Sequence, residues 1–183
     1  MTSLTSEDKR YLLTLARAAV EAEIRGSTAP ASTNAPPSLQ IRAGAFVSLH
    51  VDDDLRGCVG YVEPAWPLPQ TIARAGAVVT HDDRFPMLRV PELPAVAVEV
   101  SVLSPPAPIR PEDVEIGVHG LILTCAGRSG LLLPQVPLSR GWDRETFLDQ
   151  LGRKAGMPAG SWRRPEAQLR AFTADRFAEG EDA

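Results

Sequence analysis

Leu55-Arg56-Gly57-Cys58-Val59-Gly60 places a thiol two residues from a guanidinium, with one glycine directly before it and another two residues after. A free thiol with a pKa of about 8.5 is only a few per cent thiolate at neutral pH, and a neighbouring cation raises that fraction. A depression of about 1.5 pH units would leave it half ionised at pH 7 and able to act as a nucleophile. Apolar residues at 55, 59 and 61 make the run read as a strand, and glycine weakens a strand unless another backbone or a ligand must come close. One reading is therefore a reactive, approachable cysteine. The other is a small cysteine packed in a tight strand, since cysteine is among the most buried residue types.

Residues that would complete such a site are spread along the chain. Arg56 or Arg84 would lower the pKa of Cys58, and His119 is the candidate base. Gln135 would orient an amide or carbonyl, and Lys154 or Arg84 would hold a carboxylate or phosphate. Each is polar or reactive yet lodged in an apolar or glycine- and proline-rich motif, the pattern of a ligand site. The expectation is that Cys58 and His119 are catalytic and that Arg56, Gly57, Gly60, Arg84, Gln135 and Lys154 bind substrate in one cleft, with Gly120 also allowing close approach. Structural alternatives stand beside each: Arg84 paired with Asp82 or Asp83, His119 satisfying a turn carbonyl, Gln135 bonding the backbone.

Other chemistries find no support. The chain has no phosphate-binding Walker run, dinucleotide glycine fingerprint, HExxH or nucleophile elbow. His50, His81 and His119 are far apart, and no pair has local metal-ligand spacing. No metal or cofactor is expected. A net charge of −4 and an aromatic share of 5% argue against nucleic acid as a partner. No apolar stretch approaches the roughly 18 residues of a membrane span, and the polar, helical N-terminus is not a signal peptide. Two cysteines in 183 residues fit the reducing cytoplasm rather than a disulfide framework.

The elements that must position these residues are well punctuated. Ser6 followed by Glu7 and Asp8 starts a helix that continues through Leu12, Leu15, Ala16, Ala19 and Val20 to a stop at Gly26. Residues 27–38 read as a flexible Pro/Ser/Thr-rich linker. Ala45–Val51 and Leu55–Val62 form a hairpin with Cys58 on its second strand. Gln70–Thr80 is an alanine-rich helix, and Ala95–Leu103 is a strand with a β-branched face. His119–Cys125 and Leu131–Leu133 form a second hairpin, and Asp143 caps a helix running to Ala155. Residues 167–177 fit either period, and 178–183 read as a disordered tail. Hairpins and helices without strict βαβ alternation give an α+β fold, with an antiparallel or mixed sheet and flanking helices.

The motifs also occur in a characteristic order. The Leu55–Gly60 run is followed by Asp83-Arg84-Phe85-Pro86, Pro91-Glu92-Leu93 and Val98-Glu99-Val100-Ser101-Val102-Leu103. Ile116-Gly117-Val118-His119-Gly120-Leu121, Leu132-Leu133-Pro134-Gln135-Val136, Trp142-Asp143 and Lys154-Ala155-Gly156 complete it. This order resembles the AMMECR family from about the first helix to Phe177. Tyr61 and Val62 depart from the threonine and apolar residue more usual there. The resemblance implies one domain of two unequal lobes, with the Arg-Gly-Cys run lining a cleft between them, in an intracellular protein. It also implies a pathway shared with Memo-type and radical S-adenosylmethionine proteins. Two functions are carried forward: a cysteine-dependent enzyme acting on a small anionic substrate, or a non-catalytic module for a peptide or small ligand.

Overall fold

A computed structural model describes residues 4–28, 35–52, 54–63 and 65–181. The chain divides into two compact units. The first comprises residues 1–102 and 175–183, and the second is the continuous stretch 103–174. The fold is α+β, with two antiparallel sheets and flanking helices.

In the first unit α1 spans Ser6–Arg25. Its cap is Thr5, one residue earlier than the sequence suggests: the Thr5 hydroxyl accepts from Asp8 N–H, and the Asp8 carboxylate accepts from Thr5 N–H. Gly26 ends the helix in the left-handed region at φ 64°. β1 (Ala45–Val51) and β2 (Asp54–Tyr61) are the expected hairpin. α2 covers Leu68–Val78, and β3 covers Val96–Leu103. β8 (Ala174–Ala178) completes a sheet of order β2-β1-β3-β8.

The period of two sorts this sheet into faces. Val47, Leu49, Val98 and Val100 are fully buried in one cluster with Leu12 of α1 and Ile72 of α2. The opposite side of the alternation carries Ser48 and His50 on β1 and Glu99 and Ser101 on β3.

In the second unit β4 (Ala107–Pro108), β5 (Gly120–Cys125), β6 (Arg128–Leu132) and β7 (Gln168–Phe172) form a sheet of order β4-β7-β5-β6. Ala126 and Gly127, at φ 51° and 73°, make the tight turn between β5 and β6. α3 (Gln135–Arg140) was not foreseen, and α4 (Arg144–Lys154) is capped by Asp143, which accepts from Thr146 N–H. Phe147, Leu148 and Leu151 of α4 are buried with Leu121 and Leu123 of β5.

The ambiguous 167–177 segment resolves into two strands in different sheets, β7 and most of β8. Both periods fitted because each strand is only five residues long. Of the expected 27–38 linker, 29–34 lie outside the described residues. Its end is a 3-10 turn, Pro37–Leu39, in which Leu39 is fully buried and the Ser38 hydroxyl donates to Asp8. The tail expected from 178 onward is bonded at its start: Glu179 N–H donates to Val98 C=O, and its carboxylate accepts from Val98 N–H and Arg17. Residues 182–183 lie outside the described residues.

Candidate functional site

Cys58 lies on β2, opposite Ser48 of β1, and Ser48 lies opposite Glu99 of β3. The three form a polar row across the sheet, on the side away from the helices. Arg176 of β8 extends it, its Nη1 donating to Glu99 Oε2 at 2.6 Å. Ser48 and Glu99 are each 5% exposed, and Cys58 is half-buried. A buried carboxylate is tolerated only when paired and hydrogen-bonded, and the Arg176 guanidinium meets that need.

The electrostatics of the row keep the thiol protonated. Burial pushes the Cys58 thiol above the ordinary range, and the charges of Glu99 and Asp82 push the same way. The Ser48 hydroxyl bonded to it and the charge of Arg84 pull it down, but do not offset burial.

Arg56 does not act on the thiol as expected from the sequence, and Arg84 lowers its pKa without offsetting burial. Arg56 sits at a β-bulge, where the register slips from Leu49↔Gly57 to His50↔Leu55. A bulge re-aims its side chain, and here the guanidinium donates to Glu92 Oε1 at 3.1 Å and Pro86 C=O at 3.5 Å. Arg84 donates to Asp82 and, at 3.0 Å, to the main-chain carbonyl of Cys58. The Asp82 carboxylate in turn accepts Cys58 N–H at 2.9 Å. Bonds from Arg84, first of all, hold the Asp82 carboxyl at about 2. β2 is an edge strand, and these side chains occupy its outward main-chain groups at Cys58. Both arginines thus latch the segment after α2 to β2.

The glycines are likewise used by the chain itself. A Cβ at Gly57 would stand 2.8 Å from Val79 C=O, and one at Gly60 would stand 2.2 Å from Ala45 C=O and 2.5 Å from the Phe46 ring. At Gly120 the obstacle is the Phe172 ring, at 2.4 Å. The close approach read from the sequence is real, but its partner is neighbouring protein.

Arg56, Gly57, Cys58, Gly60 and Arg84 therefore belong to the first unit and are grouped around β2. His119, Gln135 and Lys154 belong to the second, on three different elements: the loop before β5, the first residue of α3 and the exposed end of α4. His119 Nδ1 accepts the Glu115 N–H at 3.0 Å. The structural alternative has His119 satisfying a turn carbonyl, whereas the ring takes up a turn N–H. It borders a cavity of about 240 Å³ with Ile109, Phe172 and Thr173.

Sequence reasoning missed Ser48 and Glu99 and weighed His50 only as a metal ligand. The signal was present: in Val98-Glu99-Val100-Ser101-Val102 and Phe46-Val47-Ser48-Leu49-His50, polar residues recur at every second position. Among the described residues no group of three or more His, Cys, Asp or Glu side chains is placed to hold a metal ion. Nor is any helix among them long and apolar enough to cross a membrane.

Two antiparallel sheets with flanking helices are a fold that this chain shares with known relatives. The AMMECR1 family model matches residues 13–177, and the chain belongs to that family. A protein of Thermococcus gammatolerans is 41% identical over 98% of this chain and 94% of its own length. One from Methanopyrus kandleri is 39% identical over 97% and 91%. The crystal structure of the uncharacterised protein PH0010 from Pyrococcus horikoshii superimposes with a TM-score of 0.92 at 36% identity, covering 97% of this chain and 94% of that one.

Proposed function

We propose that this AMMECR1-family chain is a ligand-binding protein whose site is the polar row of Cys58, Ser48 and Glu99, and that it binds a small molecule or peptide without forming a covalent bond to it. The observation that carries this reading is the row itself. Three polar side chains, two of them almost fully buried, interrupt a sheet whose other face is aliphatic. Such groups are more often placed for a ligand than for packing. The protonated thiol and the committed arginines favour binding over nucleophilic attack. The setting that fits is the cytoplasm, beside the Memo-type and radical S-adenosylmethionine proteins that the family resemblance implies.

A second reading, the cysteine-dependent enzyme, draws on one feature. The Ser48 hydroxyl is bonded to the thiol with Glu99 opposite, which puts a carboxylate across the strand pair to take up the proton that leaves the sulfur. On that reading Cys58 is the nucleophile. Alkylation of the native protein across pH decides between them. Binding predicts slow Cys58 labelling at pH 7, rising only above the ordinary thiol range, and protection of Cys58 by any ligand extracted with the purified protein. Labelling at pH 6–7 faster than that of a free cysteine would overturn it in favour of the enzyme.

A further inference from the structure

Next to the polar row lies a cavity of about 410 Å³, bounded by His50, Ala97, Val98, Glu99, Arg176 and residues 178–181. That volume lies within the range of small-molecule sites. Its walls include the small side chains of Ala97 and Ala178 and the backbone of Gly180, and its polar groups are gathered near His50. The His50 Nε2 atom is buried and has no hydrogen-bond partner among the described residues. Glu99 Oε2 is 3.9 Å away, beyond hydrogen-bonding reach. A buried polar atom left unpaired costs free energy, and an unexplained one marks a place where another group belongs.

The charges indicate what that group is. Glu99 and Glu181 share the single guanidinium of Arg176. Glu179 is fully engaged by Arg17 and Val98 N–H. Among the described lining residues the carboxylates outnumber the arginines, and Arg176 is already occupied. His50 Nε2 and Glu99 Oε2 stand 3.9 Å apart, a gap that one nitrogen with several protons can serve wherever both atoms accept.

We infer that this cavity binds a primary amine, whose ammonium group donates to both His50 Nε2 and Glu99 Oε2. The inference rests on the ligand-binding reading through Glu99, and it replaces the anionic ligand expected from the arginines with a cationic one. The amine is the end of a small metabolite or of a peptide, and its remaining chain lies along Ala97 and the 178–181 backbone.

The test uses the intact protein and two probes of matched length and opposite charge, n-butylammonium and butyrate. Imidazole nitrogen NMR at constant pH and ionic strength follows His50, assigned by comparison with His50→Gln. Butylammonium should shift the His50 nitrogen saturably, with no such response to butyrate. Glu99→Gln should weaken the response at least tenfold. Because that substitution also disturbs Arg176, Ala97→Leu provides the independent variant, filling the cavity without altering any charge, and it should abolish the response. A His50 response to butyrate alone, no response to either probe, or a butylammonium response surviving Ala97→Leu would each overturn the inference. Cys58 protection by an extracted ligand, together with a silent His50, would remove the amine assignment and leave the binding reading intact. An amine response at His50 with Cys58 labelled rapidly at pH 6–7 would do the reverse.

Discussion

Cys58 shows how local chemistry can be read correctly in kind and wrongly in sign. The sequence places arginines near a thiol, and cations lower thiol pKa values. In the fold, however, one guanidinium turns to Glu92 and the other is neutralised by Asp82, so burial dominates. Two substitutions should therefore move the thiol in opposite directions. Asp82→Asn removes a negative charge while keeping an acceptor for Cys58 N–H, and should lower the pH of half-maximal alkylation. Arg84→Ala removes a cation and strands the Asp82 carboxylate, and should raise it. Arg56→Ala should leave that titration unchanged, since its charge is taken up by Glu92. The same pair gives an acid signature. The Asp82 carboxyl, held at about 2 when folded, returns to an ordinary value near 4 on unfolding. Its contribution is therefore present above pH 4 and is lost as pH falls from 4 towards 2, a difference of about 2 kcal/mol. Urea unfolding at pH 6 and pH 3 should show about half of this loss, ~1 kcal/mol, in the native protein and not in Asp82→Asn.

At the scale of elements, the strands of the first unit were legible because alternation and turn residues agree. β1 and β3 lie within a residue of their expected bounds, and Gly26, Asp143 and Gly156 act as the helix punctuation they resemble. The polar half of the alternation was equally legible but was not used, which is why Ser48 and Glu99 were not singled out and His50 was weighed only as a metal ligand. What could not be read was pairing. The bulge at Arg56, the Asp82–Cys58 main-chain bond and the split of 167–177 between two sheets all depend on partners distant in sequence. Glycine makes the distinction testable. If Gly57 and Gly60 served a ligand, alanine there would weaken binding and spare the fold. The contacts with Val79, Ala45 and Phe46 require the opposite. Gly57→Ala should cost about 1–3 kcal/mol and Gly60→Ala more, because its Cβ would meet a strand carbonyl that cannot yield. Chemical denaturation of both variants provides the measurement, and a stable Gly60→Ala protein would return these glycines to the ligand.

For the whole molecule the decisive fact is that the second unit is an insertion. Residues 103–174 run continuously, while the first unit resumes at Asp175, and β8 then takes its place beside β3. The insertion closes at its own ends: Ser104 N–H donates to Thr173 C=O at 2.9 Å, and Thr173 N–H donates to the Ser104 hydroxyl at the same distance. Its core of Leu121, Leu123, Phe147, Leu148 and Leu151 is built from its own segments, as is the Leu12, Val47, Ile72 and Val98 core of the first. Domains with their own cores and neighbouring termini tolerate excision. Replacing 104–173 by a short Gly-Ser turn should leave a protein that unfolds cooperatively, because strand β3 already ends beside the start of β8. In that shortened chain Arg176 still reaches Glu99, and the sheet still presents Cys58, Ser48 and His50. Butylammonium should therefore shift the His50 nitrogen as it does in the full chain, while the His119, Gln135 and Lys154 side chains are gone. Survival of the response would assign the amine to the first unit alone. A shortened chain that folds, by circular dichroism and a single urea transition, but has lost the response would show that residues 103–174 contribute to binding and that the cavity at His50 is an incomplete description of the site.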